Sequence, residues 1–97
     1  MTAKKLVKHL VIGAAATPFD AVAELGGTPQ YHAYVKFSNF HATQIVYIAT
    51  GGVVAVAAAD DTYAVGPGKD LELPFDELGY SLIATGATTP VEAKGFA

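Results

Sequence analysis

The sequence predicts an all-β domain, and two observations support this prediction. From Tyr31 to Ser38, apolar and polar residues alternate with a period of two, as expected for a half-buried strand. Turn signals containing glycine or proline then recur about every 8–12 residues, a spacing typical of a β-sandwich or barrel. Because the chain has 97 residues, residues 1–97 are expected to form one small domain of seven or eight short strands.

The first residues allow two interpretations. In residues 4–12, Leu6 and Leu10 lie on one helical face, with lysines on the opposite face. The β-branched content and the following Gly13 favour a strand instead. We therefore expect residues 1–16 to include an extended N-terminal strand or arm.

One short helical turn is expected next. Thr17 and Asp20 have the spacing of a capping box, and Pro18 falls at the first helical position. This pattern predicts a turn or two of helix over residues 21–25. Gly26, with the glycine after it, is expected to end the helix.

The remaining strands follow from apolar runs and the turns between them. Pro67 and Gly68 fit the two central positions of a type II turn, because glycine readily takes the positive φ needed at the second one. Further turns are expected at residues 50–52 and 76–79. The predicted strands are residues 31–38, 44–49, 53–58, 70–73, 80–85 and 91–94.

Composition indicates a surface that other protein chains cover. Hydrophobic residues make up 52% of the chain and charged residues 15%, against about 25% charged in an average soluble domain. A domain of this size has too little interior for so many apolar side chains, so we expect a homo-oligomer or an assembly subunit. The net charge of −3 and the lack of arginine disfavour nucleic-acid binding, and no apolar stretch reaches membrane-spanning length.

The residue types of common active sites do not form a recognisable pattern. There is no cysteine, which removes thiolate zinc sites and cysteine nucleophiles. His32 and His41 could meet across a hairpin with Asp60 or Asp61, but zinc needs three or four converging ligands and the spacing does not require them. Exposed strand histidines are the simpler expectation. Ser81 lacks the second glycine of a nucleophile elbow, so we expect no enzyme, no cofactor and no metal.

The order of strands and turns after Tyr31 resembles a known group of proteins. It is similar to the small jelly-roll or β-sandwich virion proteins of tailed bacteriophages, which include capsid decoration (cement), head-fibre and tail-associated proteins. The resemblance covers about two-thirds of the chain and does not include the first 30 residues. The segments that carry it are Val46-Tyr47-Ile48, Gly51-Gly52, Val65-Gly66-Pro67-Gly68 with Leu71 and Leu73, Tyr80-Ser81-Leu82-Ile83-Ala84, and Gly86.

The resemblance implies a jelly-roll-like β-sandwich that binds the outer capsid surface, often as a trimer, and stabilises the shell. The expected partner is a major capsid protein or another virion protein. Alternatives are a tail, neck or head-fibre component and, from another class, a small β-barrel module that binds a ligand in an apolar pocket. The interface residues chosen from apolarity near loops and termini are Leu6, Leu10, Ile12, Phe40 and Phe96.

Overall fold

A computed structural model describes residues 7–26 and 32–96 of the chain. Within these ranges the fold is all-β, as predicted, with eight strands and one short helix. The elements are β1 (Val7–Ile12), β2 (Thr17–Phe19), α1 (Ala21–Leu25), β3 (Tyr34–Asn39), β4 (Val46–Ala49), β5 (Tyr63–Val65), β6 (Asp70–Pro74), β7 (Tyr80–Ala84) and β8 (Thr89–Phe96).

The strands form two four-stranded antiparallel sheets packed face to face. We call the sheet with strand order β1-β8-β3-β6 sheet A and the sheet with order β2-β7-β4-β5 sheet B. The strand pairs are nested, because β1 pairs with β8, β2 with β7, β3 with β6 and β4 with β5. One long antiparallel hairpin folded over on itself gives this order, which is that of an eight-stranded jelly roll. The predicted jelly-roll-like sandwich is therefore confirmed.

The described part of the ambiguous N-terminal segment is a strand. β1 pairs with β8 from Val7 opposite Lys94 to Ile12 opposite Thr89. Its side chains alternate, since Ile12 is fully buried whereas Val11 is 70% exposed. Strand pairing places Leu10 and Ile12 on the core side of β1, so the helical alternative is wrong for residues 7–12; residues 1–6 lie outside the described residues.

The helix is where it was predicted, but its cap is a different residue. Thr17 lies in β2, opposite Leu82 of β7, and does not cap the helix. Asp20 is the N-cap, and its Oδ1 accepts hydrogen bonds from the backbone N–H groups of Val22 (3.0 Å) and Ala23 (3.2 Å). Gly26 ends the helix with φ of +84°. Sheet pairing before Asp20 thus displaces the expected cap by three residues.

An aromatic cluster forms the centre of the core between the sheets. The ring of Phe37 meets those of Phe19 and Tyr80 edge-on, with centroids 5.7 Å and 5.1 Å away. Edge-to-face pairs of this kind add about 0.5–1.5 kcal/mol beyond area burial. The remaining buried core side chains are Ile12, Ala21, Leu25, Val35, Val46, Ile48, Val65, Leu73, Leu82, Ala84, Val91 and Ala93.

Asn39 ties the two sheets together at one end of the sandwich. It is almost fully buried, and its Nδ2 donates to the backbone carbonyls of Gln44 (2.7 Å) and Val65 (3.0 Å). Its Oδ1 accepts from the backbone N–H of His41 at 2.9 Å. These three bonds satisfy the polar atoms of the buried amide. They also link the end of β3 to the β3–β4 connection and to β5 of sheet B, so they fix where the chain crosses between the sheets.

One predicted strand is absent. The expected turn exists, with positive φ at Gly51 and Gly52, but residues 53–58 form no strand after it. The strand that pairs with β4 is β5, which places Val65 opposite Val46. Residues 53–58 lack polar–apolar alternation, and a strand with one buried and one solvated face requires it.

Two other turns agree with the sequence prediction. The N–H of Lys69 donates to the carbonyl of Gly66 at 3.1 Å, and Gly68 has φ of +69°, as a type II turn requires. The N–H of Gly79 donates to the carbonyl of Asp76 at 3.0 Å. Within the described ranges, no helix has the length and apolarity needed to cross a membrane.

Candidate interaction surface

The three N-terminal interface candidates have different locations. Ile12 is fully buried in the core, so its side chain is not available to a partner in this fold. Leu10 is partly buried and packs against the core from the same face of β1. Leu6 lies outside the described residues. Since alternate residues of a strand point to opposite faces, the outward residue of this stretch is Val11.

Phe40 and Phe96 lie at opposite ends of the outer face of sheet A. Phe40 is 58% exposed, and its N–H donates to the carbonyl of Pro90, the residue paired with Val11. Phe96 is partly buried, and its ring stacks on Tyr34 with centroids 6.3 Å apart. Phe40 therefore lies beside Pro90 and Val11 on this face, whereas most of Phe96 is covered within the chain.

The histidines do not form a metal site. His32 is fully buried, which corrects the expectation of an exposed strand residue, whereas His9 is exposed on β1. His41 lies in the β3–β4 connection, where its Nδ1 accepts from the N–H groups of Thr43 and Gln44, each at 3.0 Å. No three metal-ligating side chains converge within residues 7–26 and 32–96.

His32 occupies a close-fitting position over Gly95 of β8. Its Nε2 lies 2.6 Å from the carbonyl of Gly26, and because a carbonyl only accepts, Nε2 carries the proton. Its Nδ1 is buried and has no hydrogen-bond partner among the described residues. A Cβ at Gly95 would lie 2.1 Å from that Nδ1 atom, so only glycine fits there.

The serine and acidic pairs considered from sequence have local structural contacts. Ser81 is a β7 residue, and its Oγ accepts from the N–H of Ala55 at 2.9 Å. The Asp76 carboxylate accepts from the N–H groups of Gly51 (2.8 Å) and Leu78 (2.9 Å). Asp60 and Asp61 lie exposed at the end of the β4–β5 connection.

The outer face of sheet A is charged. His9 lies opposite Glu92, with Nε2 and Oε2 3.2 Å apart, and Lys36 lies opposite Glu72. The Nζ of Lys36 is 3.8 Å from a carboxylate oxygen of Asp70. Apart from its two apolar ends, this face has the composition of an ordinary solvated sheet.

The outer face of sheet B carries an apolar segment of the chain. This segment, residues 53–59, lies in the β4–β5 connection and contains only valine and alanine. Ala55 is buried where its N–H meets Ser81. Ala49, which pairs with Ser81 on β4, is also fully buried although it lies outside the main core. The segment therefore covers the part of sheet B that contains Ala49 and Ser81.

The side chains that cover sheet B leave an exposed apolar surface. Val54 is 69% exposed and Leu78 68% exposed, and both line an open groove of about 240 Å³ with Pro18 and Val53. Val56, two residues further along the segment, is 62% exposed. We call the set Pro18, Val53, Val54, Val56 and Leu78 the apolar surface.

Backbone hydrogen bonds hold the apolar surface in place. The N–H of Val53 donates to the carbonyl of Thr50, and that of Ala59 to the carbonyl of Val56, each bond closing a turn. On the other side of the groove, Leu78 is positioned by the Asp76 carboxylate. A surface fixed before binding loses less conformational entropy when a partner arrives.

Charges next to the apolar surface are all negative. Asp60 and Asp61 follow the apolar segment, and Asp76 and Glu77 directly precede Leu78. Within the described residues, the lysines all lie in sheet A or in the turn that enters it: Lys8, Lys36, Lys69 and Lys94. The side of the molecule formed by sheet B is therefore both apolar and acidic.

A second concave region lies beside the N-terminal strand and the helix. An open cleft of about 570 Å³ is lined by Val7, Lys8, His9 and Glu24 among the described residues. Lys8 and Glu24 form an ion pair across it, with Nζ and Oε1 2.6 Å apart.

One sequence feature indicates the apolar surface, although the sequence analysis interpreted it as a strand. Residues 53–59 are a run of seven valines and alanines without a polar residue, followed by Asp60 and Asp61. The sequence prediction places residues 53–58 of this run in a strand that follows the turn at residues 50–52. Leu78 has no sequence signal of its own, since its exposure follows from the turn that Asp76 and Gly79 form.

No protein-family model, curated protein or solved structure matches the chain.

Proposed function

We propose that this chain is a structural virion protein of a tailed phage, a capsid decoration (cement) protein that binds the outer capsid surface and stabilises the shell. In this proposal the apolar surface is the contact with the major capsid protein. The chain performs no catalysis, and its function is to add protein–protein contacts to an assembled particle.

The observation that carries this proposal is the exposure of the apolar surface. Val54 and Leu78 each leave about two-thirds of their side-chain area in water, in a domain where only 15% of residues are charged. Contiguous apolar side chains held rigidly on a small domain are typical of protein interaction sites. Burying both side chains in a partner contributes about 1.5–3 kcal/mol for each.

The fold is compatible with this function but does not by itself select it. Eight-stranded jelly rolls occur in viral capsid proteins, lectin domains and cupins. The fold therefore supports a virion role only by analogy. The apolar surface supports a decoration function more directly than the fold does, since a decoration protein needs apolar contact area and no reaction centre.

Repetition explains how a modest surface can bind a capsid tightly. If the chain forms the trimer that the resemblance implies, three copies of the apolar surface meet the shell together. After the first contact forms, the others bind at high effective concentration, so weak contacts multiply into strong binding.

Co-sedimentation with undecorated capsid shells, assembled from the major capsid protein of the same genome, tests the proposal. We expect the wild-type chain to sediment with the shells and Val54→Asp to weaken binding about tenfold or more. Val11→Asp is a matched control, because Val11 is the same residue type and is 70% exposed against 69% for Val54. It should bind like the wild type.

Each other outcome rejects a defined part of the proposal. If wild-type protein does not sediment with shells, the decoration function is wrong. If Val11→Asp weakens binding and Val54→Asp does not, the shell contact lies on sheet A. A few copies per virion, in place of hundreds, would identify a tail or neck component. Light scattering after size exclusion gives the oligomeric state, for which a trimer is expected.

A further inference from the structure

We infer that the partner of the apolar surface is a protein face with an apolar centre bordered by lysine or arginine side chains. This inference rests on the proposed function and specifies the chemistry of the shell surface that the chain recognises. The partner is a different protein, not a second copy of this chain.

The charge distribution is the basis of the inference. Asp60 and Asp61 lie at the Val56 end of the apolar surface, and Asp76 and Glu77 lie at the Leu78 end. Among the described residues, none of these four acids forms an ion pair; the lysine–carboxylate pairs present are Lys8–Glu24 and Lys36–Asp70. Their charges therefore remain available to a partner, whereas part of the charge on sheet A is already compensated.

The same charges argue against self-association through this surface. A two-fold contact between copies would bring the acidic border of one apolar surface against that of the other. Like charges across an interface disfavour the wrong partner, and the lysines of the described residues lie in sheet A or in the turn that enters it, not in the apolar surface. A cationic border on the partner reverses the sign of this interaction and also speeds association.

Two charge-neutralising variants with equal charge change test the inference. Asp60→Asn with Asp61→Asn removes two charges from the border, and neither aspartate side chain makes a hydrogen bond with the described residues. Asp70→Asn with Glu72→Gln removes two charges from the outer face of sheet A. Asp76 is unsuitable because its carboxylate positions Gly51 and Leu78.

The measurement is the association rate with immobilised undecorated shells at two salt concentrations. At about 0.1 M NaCl we expect the border variant to bind about 3–10-fold more slowly than the wild type, and the sheet A variant to match the wild type within about twofold. At about 1 M NaCl the Debye length falls from about 10 Å to about 3 Å, so the difference should disappear. Replacing both border aspartates by lysine should slow association further.

The result separates this inference from the proposed function. Wild-type binding that is insensitive to salt and to the border variant overturns the cationic border but leaves the decoration function in place. Equal slowing by both double variants also overturns it, because only net charge would then matter. If the wild type does not bind shells at all, the proposed function fails and this inference fails with it.

Discussion

The outer faces of the two sheets differ in how they meet their surroundings. On sheet A, the outward side chains are mostly charged or polar, as with Lys36 opposite Glu72, so this face is suited to water. On sheet B, an apolar segment lies over the strands and leaves Val54 and Leu78 exposed. Both sheets contribute side chains to one core, so the difference lies in their outer faces.

This difference separates residues that stabilise the fold from residues to which the proposed function assigns partner binding. Apolar residues in the core contribute to folding because water leaves them when the chain folds. Val54 and Leu78 remain largely in water in the isolated chain, so most of their hydrophobic contribution is realised only on binding. Mutations in the core and mutations in the apolar surface should therefore affect different measurements.

The largest effect on stability is expected beneath sheet A. Gly95→Ala would place a Cβ 2.1 Å from Nδ1 of His32, whose ring is buried and cannot move aside easily. We expect a loss of about 3 kcal/mol or more in the free energy of unfolding, measured by urea titration. The control is Gly13→Ala, since a Cβ there meets nothing within 4 Å. Equal stability of the two variants would show that His32 does not occupy this position.

Tyr80 should make the link between the sheets sensitive to alkaline pH. Its hydroxyl donates to the carbonyl of Pro74 at the end of β6, and burial raises the pKa of Tyr80 from 10.0 to about 12. Because the folded-state pKa is the higher one, the neutral form stabilises the fold fully below pH 10. That contribution is lost as pH rises from 10 to about 12.

The expected slope is at most about 1.4 kcal/mol of unfolding free energy per pH unit between those values. Tyr80→Phe should remove this slope, and the exposed Tyr63→Phe should retain it. Urea titrations at several alkaline pH values measure the slope. The ultraviolet absorbance of ionised tyrosine should show one late-titrating group in the wild type that Tyr80→Phe lacks. Ionisation of Tyr80 together with the other tyrosines would contradict this prediction.

A smaller effect is expected where the apolar segment attaches to sheet B. Ser81→Ala removes the acceptor for the buried N–H of Ala55, which should cost about 1–2 kcal/mol and speed amide exchange at Ala55. Ser38→Ala is the matched control on sheet A, since Ser38 is also nearly buried. Similar exchange at Ala55 in both variants would mean that the segment is held by other contacts.

The smallest effect is expected on the outer face of sheet A. Lys36→Met removes the ion pair with Asp70, whose charged atoms are 3.8 Å apart and partly exposed. Such pairs typically contribute below about 0.5 kcal/mol, so thermal unfolding should barely change. A loss comparable to that of Ser81→Ala would mean that sheet A depends on its surface charges and would weaken the contrast between the two faces.

Local sequence patterns predicted much of the fold. The alternation in Leu71 and Leu73, the turn at Pro67 and Gly68, and the short helix before Gly26 are all present. These features depend on side-chain periodicity and backbone preference, which a short stretch of sequence contains. The helix cap was wrong because β2 pairs with β7, a contact between residues far apart in the chain.

The candidate site was less predictable than the fold. Phe40 proved exposed, as an interface residue must be, but Ile12 is a core residue and Leu6 lies outside the described residues. Apolarity alone does not distinguish a core residue from a contact residue, because both have the same composition. Only the strand register shows which of two adjacent residues, such as Val11 and Ile12, faces water.

The sequence by itself determined that the chain is all-β, that its turns lie at particular glycines and prolines, and that its apolar content exceeds what a small core can hold. The tertiary structure decided which apolar residues stay exposed. It also decided that the acids next to them lack ion-pair partners within the described residues. The physical reason is that exposure and charge pairing depend on contacts between distant segments, whereas periodicity and turn preference are properties of neighbouring residues.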